Sequence, residues 1–143
     1  MILDSYAVLA FLRAEPAAKV VEQMLVDNPS ARLTVIGVAE VLDRLIRLSG
    51  SDEEEAVLDL AQLGLADPVP LSPGVAVAAG LLRARRYHRT RCAISLADCV
   101  AAESARFEAT PLATSDPHLL DICNEEGISV EALPDSNGKT WNP

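Results

Sequence analysis

The chain has 143 residues, 12 basic and 21 acidic for a net charge of −9, and half of its residues are apolar. That is enough apolar material to bury the core of one domain without disulfides or structural metal, and too acidic a balance for a protein that coats nucleic acid through overall positive charge. With only two Phe, two Tyr and one Trp, the core must be built from Ala, Val, Leu and Ile, which favours closely packed helices.

Met1 to Leu3 read as a short buried strand, and Ser5 to Arg13 carries Ala7, Val8, Leu9, Phe11 and Leu12 in a helical pattern, so Asp4 falls at a strand-to-helix turn. Met1-Ile2-Leu3-Asp4 also lacks the pattern of a secretory leader, so none is expected. Glu15-Pro16 restarts a helix whose face is Ala17, Val20, Val21, Met24 and Leu25, ending at Asn28-Pro29. Leu33 to Ile36 is extended. From Gly37 a helix runs through Val38, Val41, Leu42, Leu45 and Ile46 to a stop at Ser49-Gly50, with Glu40 near its first turn. Ser51 and the acids Asp52 to Glu54 open the next helix, where negative charge suits the amino-terminal dipole.

Asp67-Pro68-Val69-Pro70-Leu71 supplies at most a short or edge strand, because proline lacks the ladder donor. A long helix begins near Pro73. Its apolar stretch, Val75 to Leu82, stops at Arg83, far short of the roughly 20 residues that span a bilayer. After Thr90 to Ile94 another helix opens at Ser95 and continues to Phe107; Pro111 to Thr114 is extended, Pro117 to Glu126 helical, and Ile128 to Leu133 extended again. Strands separated by helices predict an α/β domain with a mostly parallel sheet covered on both faces. The domain is expected over residues 1–134, with 135–143 a flexible tail in which Trp141 has no assignable role.

Cys92, Cys99 and Cys123 match no zinc or redox spacing and read as reduced thiols filling space, which suits a cytoplasmic location. His88 and His118 form no paired ligand set, and His118 reads as a solvent-facing helix residue. Arg83, Arg85, Arg86, Arg89 and Arg91 make one strongly cationic helix end. Two readings stand: a solvated terminus complementing the helix dipole, or the positive charge that an acidic site needs to hold a phosphate backbone.

Four acids are placed to meet. In parallel α/β sheets, side chains from successive strand-to-helix turns converge beyond the carboxyl ends of the strands. Asp4 and Asp116 occupy such turns, Glu40 follows the strand Leu33 to Ile36, and Asp98 opens the helix leading to the last but one strand. Each also has a local explanation. Asp4 caps a helix, Ser95-Leu96-Ala97-Asp98 has capping-box spacing, Asp116-Pro117 reads as a cap followed by proline, and Glu40 pairs with Arg44 one turn on. If they do converge, carboxylates without histidine or thiolate select Mg²⁺, with Mn²⁺ as a substitute.

Leu3-Asp4-Ser5, Val38-Ala39-Glu40-Val41, Ser95-Leu96-Ala97-Asp98 and Ala113-Thr114-Ser115-Asp116 are similar, in order and spacing, to the four acidic motifs of PIN domains. The run Leu112 to Asp116 most resembles the VapC toxins, while Tyr6 stands where many relatives carry a small residue. The resemblance implies a PIN-like three-layer α/β/α sandwich and a metal-dependent endoribonuclease. In it Asp4 anchors the principal ion, Asp98 and Asp116 complete the shell, and Glu40 orients water or assists a second ion. It also implies RNA products with 5′-phosphate and 3′-hydroxyl ends, a cognate antitoxin, a homodimer, and no membrane or sequence-specific DNA binding by this chain. Thr114 and Ser115 are read as turn caps or as donors to a carboxylate or phosphate. The alternatives are an RNA-processing PIN nuclease that is not a toxin, a non-catalytic PIN-like binding module, and a phosphatase or receiver domain. The last group would want a second Asp at Tyr6 or adjacent acids after the first strand.

Overall fold

The computed structural model of the chain describes residues 1–142. Among these residues three parallel strands, β1 (Ile2–Leu3), β2 (Leu112–Thr114) and β3 (Val130–Ala132), lie in the order β1-β2-β3. The register pairs Ile2 with Leu112, Leu3 with Ala113, and Ala113 with Glu131. Single parallel bridges, Ile2 to Arg32 and Thr34 to Val69, extend the sheet beyond β1. Val69 is held between Pro68 and Pro70, which is why the expected edge strand contributes one bridge and no more.

Among the described residues seven helices cover the sheet: α1 (Ser5–Leu12), α2 (Ala18–Asp27), α3 (Val35–Ser49), α4 (Glu53–Gln62), α5 (Pro73–Arg86), α6 (Leu96–Phe107) and α7 (Pro117–Glu125). Successive strand residues point to opposite faces, and this alternation splits the core in two. Ile2 and Leu112 enter a cluster with Val75, Leu82, Cys99, Leu119 and Cys123 from α5, α6 and α7. Leu3 and Ala113 enter the other with Val8, Val21, Val41, Leu45 and Leu60 from α1 to α4. The result is the helix-rich α/β/α arrangement with a parallel sheet that the strand–helix alternation predicts. Leu112 is fully buried at the centre of the sheet, so Leu112→Ala is expected to cost about 2–5 kcal/mol in denaturant unfolding.

Some boundaries differ from the sequence reading. Leu33 to Ile36 is not a strand through its length, because the Thr34 hydroxyl accepts from Gly37 N and starts α3 at Val35. Glu40 therefore sits in the second turn. Gly37 is closely overlaid, since a Cβ there would meet Leu33 and Thr34 at 3.2–3.3 Å. Asp52, not Ser51, caps α4, and α2 begins at Ala18 without a side-chain cap. Gly50 ends α3 in the left-handed conformation, as Ser49-Gly50 suggests.

Cys99 and Cys123 are buried, and burial pushes both thiols up to about 12, so they act as small apolar fillers. His118 is exposed. Among the described residues no helix is long and apolar enough to cross a membrane.

Candidate active site

At the carboxyl ends of β1 and β2 lies a cavity of about 430 Å³, and all four predicted acids, Asp4, Glu40, Asp98 and Asp116, line it. Ser5, Tyr6, Arg44, Ser95, Ser115, Asp135 and Ser136 complete most of its wall.

Asp4 leaves the end of β1 and forms the floor, 7% exposed. Its backbone N–H is fixed to Ala113 O on β2 at 2.9 Å. It occupies the cap position of α1 but its side chain makes no capping bond. The carboxylate faces inward instead, where Thr114 Oγ1 donates to Oδ2 at 2.7 Å. Ser5 Oγ lies 3.3 Å from Asp4 Oδ1 and donates to Glu40 Oε2 at 2.7 Å, which joins α1 to α3. The other oxygen of Glu40 takes Arg44 Nη2 at 2.7 Å, the i,i+4 pair that the sequence suggests.

Asp98 and Asp116 keep their capping roles and still reach the cavity. Asp98 Oδ2 accepts from Ser95 N at 2.6 Å while Ser95 Oγ accepts from Asp98 N, a complete capping box. Asp116 Oδ1 accepts from His118 N and Leu119 N at 2.8 and 3.1 Å. Each cap uses one oxygen. Asp98 Oδ1 and Asp116 Oδ2 accept no hydrogen bond among the described residues, so the two carboxylates are oriented by their helices with one oxygen left for a ligand.

The electrostatics favour a cation. Burial pushes Asp4 up to about 6, the Thr114 hydrogen bond works against that, and the charges of Asp98, Glu40 and Asp116 raise it further. Asp98 is raised too, chiefly by burial, against the bonds from Ser95. Among the described residues no three acidic, histidine or cysteine side chains close into a metal cluster. The carboxylates ring a space without converging on one point, as expected where negative groups repel one another and three of them have local donors. An all-oxygen set with mutual repulsion fits a hard divalent cation.

The arginine cluster divides. Arg83 donates to Ile94 O and stacks over Tyr87, 4.2 Å from the ring centroid. Arg86 pairs with Glu125 and Glu126 at 2.7 Å, and Arg85 lies 3.6 Å from Glu126. Arg85 and Arg86 fasten α5 to the end of α7, while Arg83 is held by the segment that leads to α6. Arg89 and Arg91 stand in the turn closed by His88 and Cys92, exposed and without a side-chain partner among the described residues. None of the five lines the acidic cavity, although Ala93, two residues after Arg91, does.

Sequence reasoning missed Ser5, which is visible only as the residue after Asp4, and gave no cavity role to Arg44, Asp135 or Ser136. Thr114 serves both readings entertained for it: it donates to the Asp4 carboxylate and accepts from Asp116 N at 3.2 Å.

No curated protein matches the chain closely enough to count as a relative. The family model described as PIN domain matches residues 1–125, the span that holds most of both halves of the core and all four acids. The chain belongs to the PIN domain family.

Proposed function

We propose that this chain is a divalent-metal-dependent endoribonuclease and the toxin of a toxin–antitoxin pair. PIN domains are generally nucleases that act on RNA and typically use divalent metal ions. The observation that carries the reading here is Asp4, buried on the cavity floor with three further carboxylates around it and a pKa near 6. A site that keeps a charged group at such a cost is organised for a cation.

Asp4, Asp98 and Asp116 are the residues to hold Mg²⁺ or Mn²⁺, with Glu40 beside them. When bound, the ion supplies a low-pKa water as nucleophile and neutralises charge gathering on the phosphate. Thr114 fixes the Asp4 carboxylate, while Ser5 and Arg44 fix Glu40, to which we assign the orienting of the attacking water. The experiment is a cleavage assay on RNA with and without EDTA, in which activity should require the ion.

A cavity this acidic repels RNA unless cations hold the strand nearby, and Arg89 and Arg91 are free to do so. Replacing both with Gln should flatten the salt dependence of RNA binding by about 0.7 per lost contact in a plot of log K against log salt. Arg85→Gln with Arg86→Gln should chiefly loosen the α5–α7 junction and lower thermal stability. Equal effects of the two pairs on the slope would return the cluster to a helix terminus without an RNA role.

The toxin reading rests on the resemblance of Leu112 to Asp116 to the VapC pattern. A partner antitoxin would occupy the acidic groove, and exposed Val77 and Leu81, one turn apart on α5, offer an apolar face for a homodimer. Expression of the wild-type chain should arrest growth, Asp4→Asn should not, and a gene encoded alongside should rescue. Harmless expression at verified protein levels would point instead to RNA processing by the same chemistry.

A further inference from the structure

The family match ends at residue 125, but the wall of the cavity does not: Asp135 and Ser136 line it. They belong to a tight turn closed by the bridge between Pro134 and Thr140. Asp135 Oδ1 accepts from Asn137 N and Lys139 N at 2.8 and 2.9 Å, Asp135 N donates to Lys139 O at 2.8 Å, and Gly138 takes the positive φ of 79° that the turn requires. The turn is also tied to the domain at both ends. Leu133 is fully buried before it, Tyr6 Oη donates to Pro134 O at 3.2 Å, and Trp141 Nε1 donates to Asp121 Oδ1 on α7 at 2.8 Å.

That construction holds Lys139 on the same short turn whose Asp135 and Ser136 line the acidic cavity. The Lys139 ammonium has no partner among the described residues and is exposed, and its charge is felt by Asp135 in the cavity wall. Arg44, the only cation in the lining, is already held by Glu40. The Asp135 carboxylate is turned into its own loop, where it accepts from backbone N–H groups and makes no ion pair with the Lys139 ammonium among the described residues. Two turns thus reach the cavity, one through Ala93 with Arg89 and Arg91 just before it, the other through Ser136 with Lys139 just after it.

We propose that the turn from Pro134 to Thr140 is a substrate-positioning element, in which Lys139 takes a phosphate of the RNA strand next to the one at the carboxylates and Ser136 hydrogen-bonds the same backbone at the cavity edge. This rests on the nuclease reading above. Lys139 is a positioning residue: it holds the strand in register and touches none of the reacting atoms.

The test titrates a short single-stranded oligoribonucleotide into full-length protein carrying Asp4→Asn, so that binding is read without cleavage, and follows the emission of Trp141, the only tryptophan. Lys139→Gln is expected to weaken binding about threefold to tenfold and to flatten the log–log salt slope by about 0.7, with Lys139→Arg restoring both. Lys19→Gln, which removes the other lysine, in the wall of a separate hollow beside Met1 and Glu131, should leave the slope unchanged. In the cleavage-competent chain, Lys139→Glu should raise KM about tenfold with kcat within about twofold, the pattern of lost uniform binding. Binding, slope and KM indistinguishable from the parent in Lys139→Gln and Lys139→Glu would overturn the proposal while leaving the nuclease reading intact, and so would a loss as large in Lys19→Gln. A parent chain that neither binds nor cleaves RNA would overturn both.

Discussion

Replacing Asp4 with Asn is expected to make the metal-free protein more stable at neutral pH while removing its nuclease activity. The two effects have one origin. Folding moves the Asp4 carboxyl from its ordinary 3.8 to about 6, so between those values the folded protein keeps a proton that the unfolded chain has lost. Stability therefore falls as pH rises through this window; the cost is absent below about pH 4 and fully present above about pH 6. A displacement of that size corresponds to about 3 kcal/mol. Asn avoids the charge and its oxygen still accepts from Thr114, so a gain of about 1–3 kcal/mol is expected near pH 7.5, disappearing near pH 4. Cleavage should fall at least a hundredfold, the scale of losing a group that stabilises transition-state charge. Urea unfolding at the two pH values, beside cleavage rates, checks both halves. A variant destabilised at pH 7.5 would mean that Asp4 is a structural residue in a site with another purpose.

Divalent ions should produce the second large effect. Four carboxylates around one cavity are relieved by a cation that binds the folded chain alone, so Mn²⁺ or Mg²⁺ should raise Tm with concentration. Stabilisation by mass action reaches about 2.7 kcal/mol at a hundredfold excess over Kd. EDTA should reverse the shift and abolish cleavage. The apparent affinity should drop as pH falls below about 6, where a proton on Asp4 competes with the ion. A melting curve indifferent to Mn²⁺ would favour the non-catalytic binding module.

The local part of this architecture is written in short stretches of sequence, and the rest depends on distant contacts. Asp98 and Asp116 are legible because capping grammar marks helix starts. Their capping and cavity-lining roles coexist because a cap occupies one carboxylate oxygen and leaves the other. Glu40 is different. Nothing local separates it from any helical glutamate, and only the resemblance to PIN motifs selects it. The support for Asp4 is hidden for another reason: Thr114 is 110 residues away in the chain, and only strand pairing brings the two together.

The arginines show the limit from the other side. Sequence displays a dense positive charge but not its consumption, since Glu125 and Glu126 lie about 40 residues downstream and meet Arg86 only because α6, packed against both α5 and α7, brings the ends of those helices within side-chain reach. The stretch Asp135 to Lys139 has the composition of a loose tail, yet that composition also makes a self-bonded Asx turn. Its place at the cavity is set by Tyr6, 128 residues away. Tyr6, unusual beside the motif it follows, thereby acquires a use.

The central claim is that these carboxylates direct water, through a divalent ion, at an RNA phosphodiester. Mapping the ends of RNA cut by the purified chain in Mn²⁺, beside Asp4→Asn prepared in parallel, tests it most directly. Attack by water should leave 5′-phosphate and 3′-hydroxyl ends from the wild-type chain and no product from the variant. Products ending in 2′,3′-cyclic phosphate, or the same cuts made by Asp4→Asn, would contradict it.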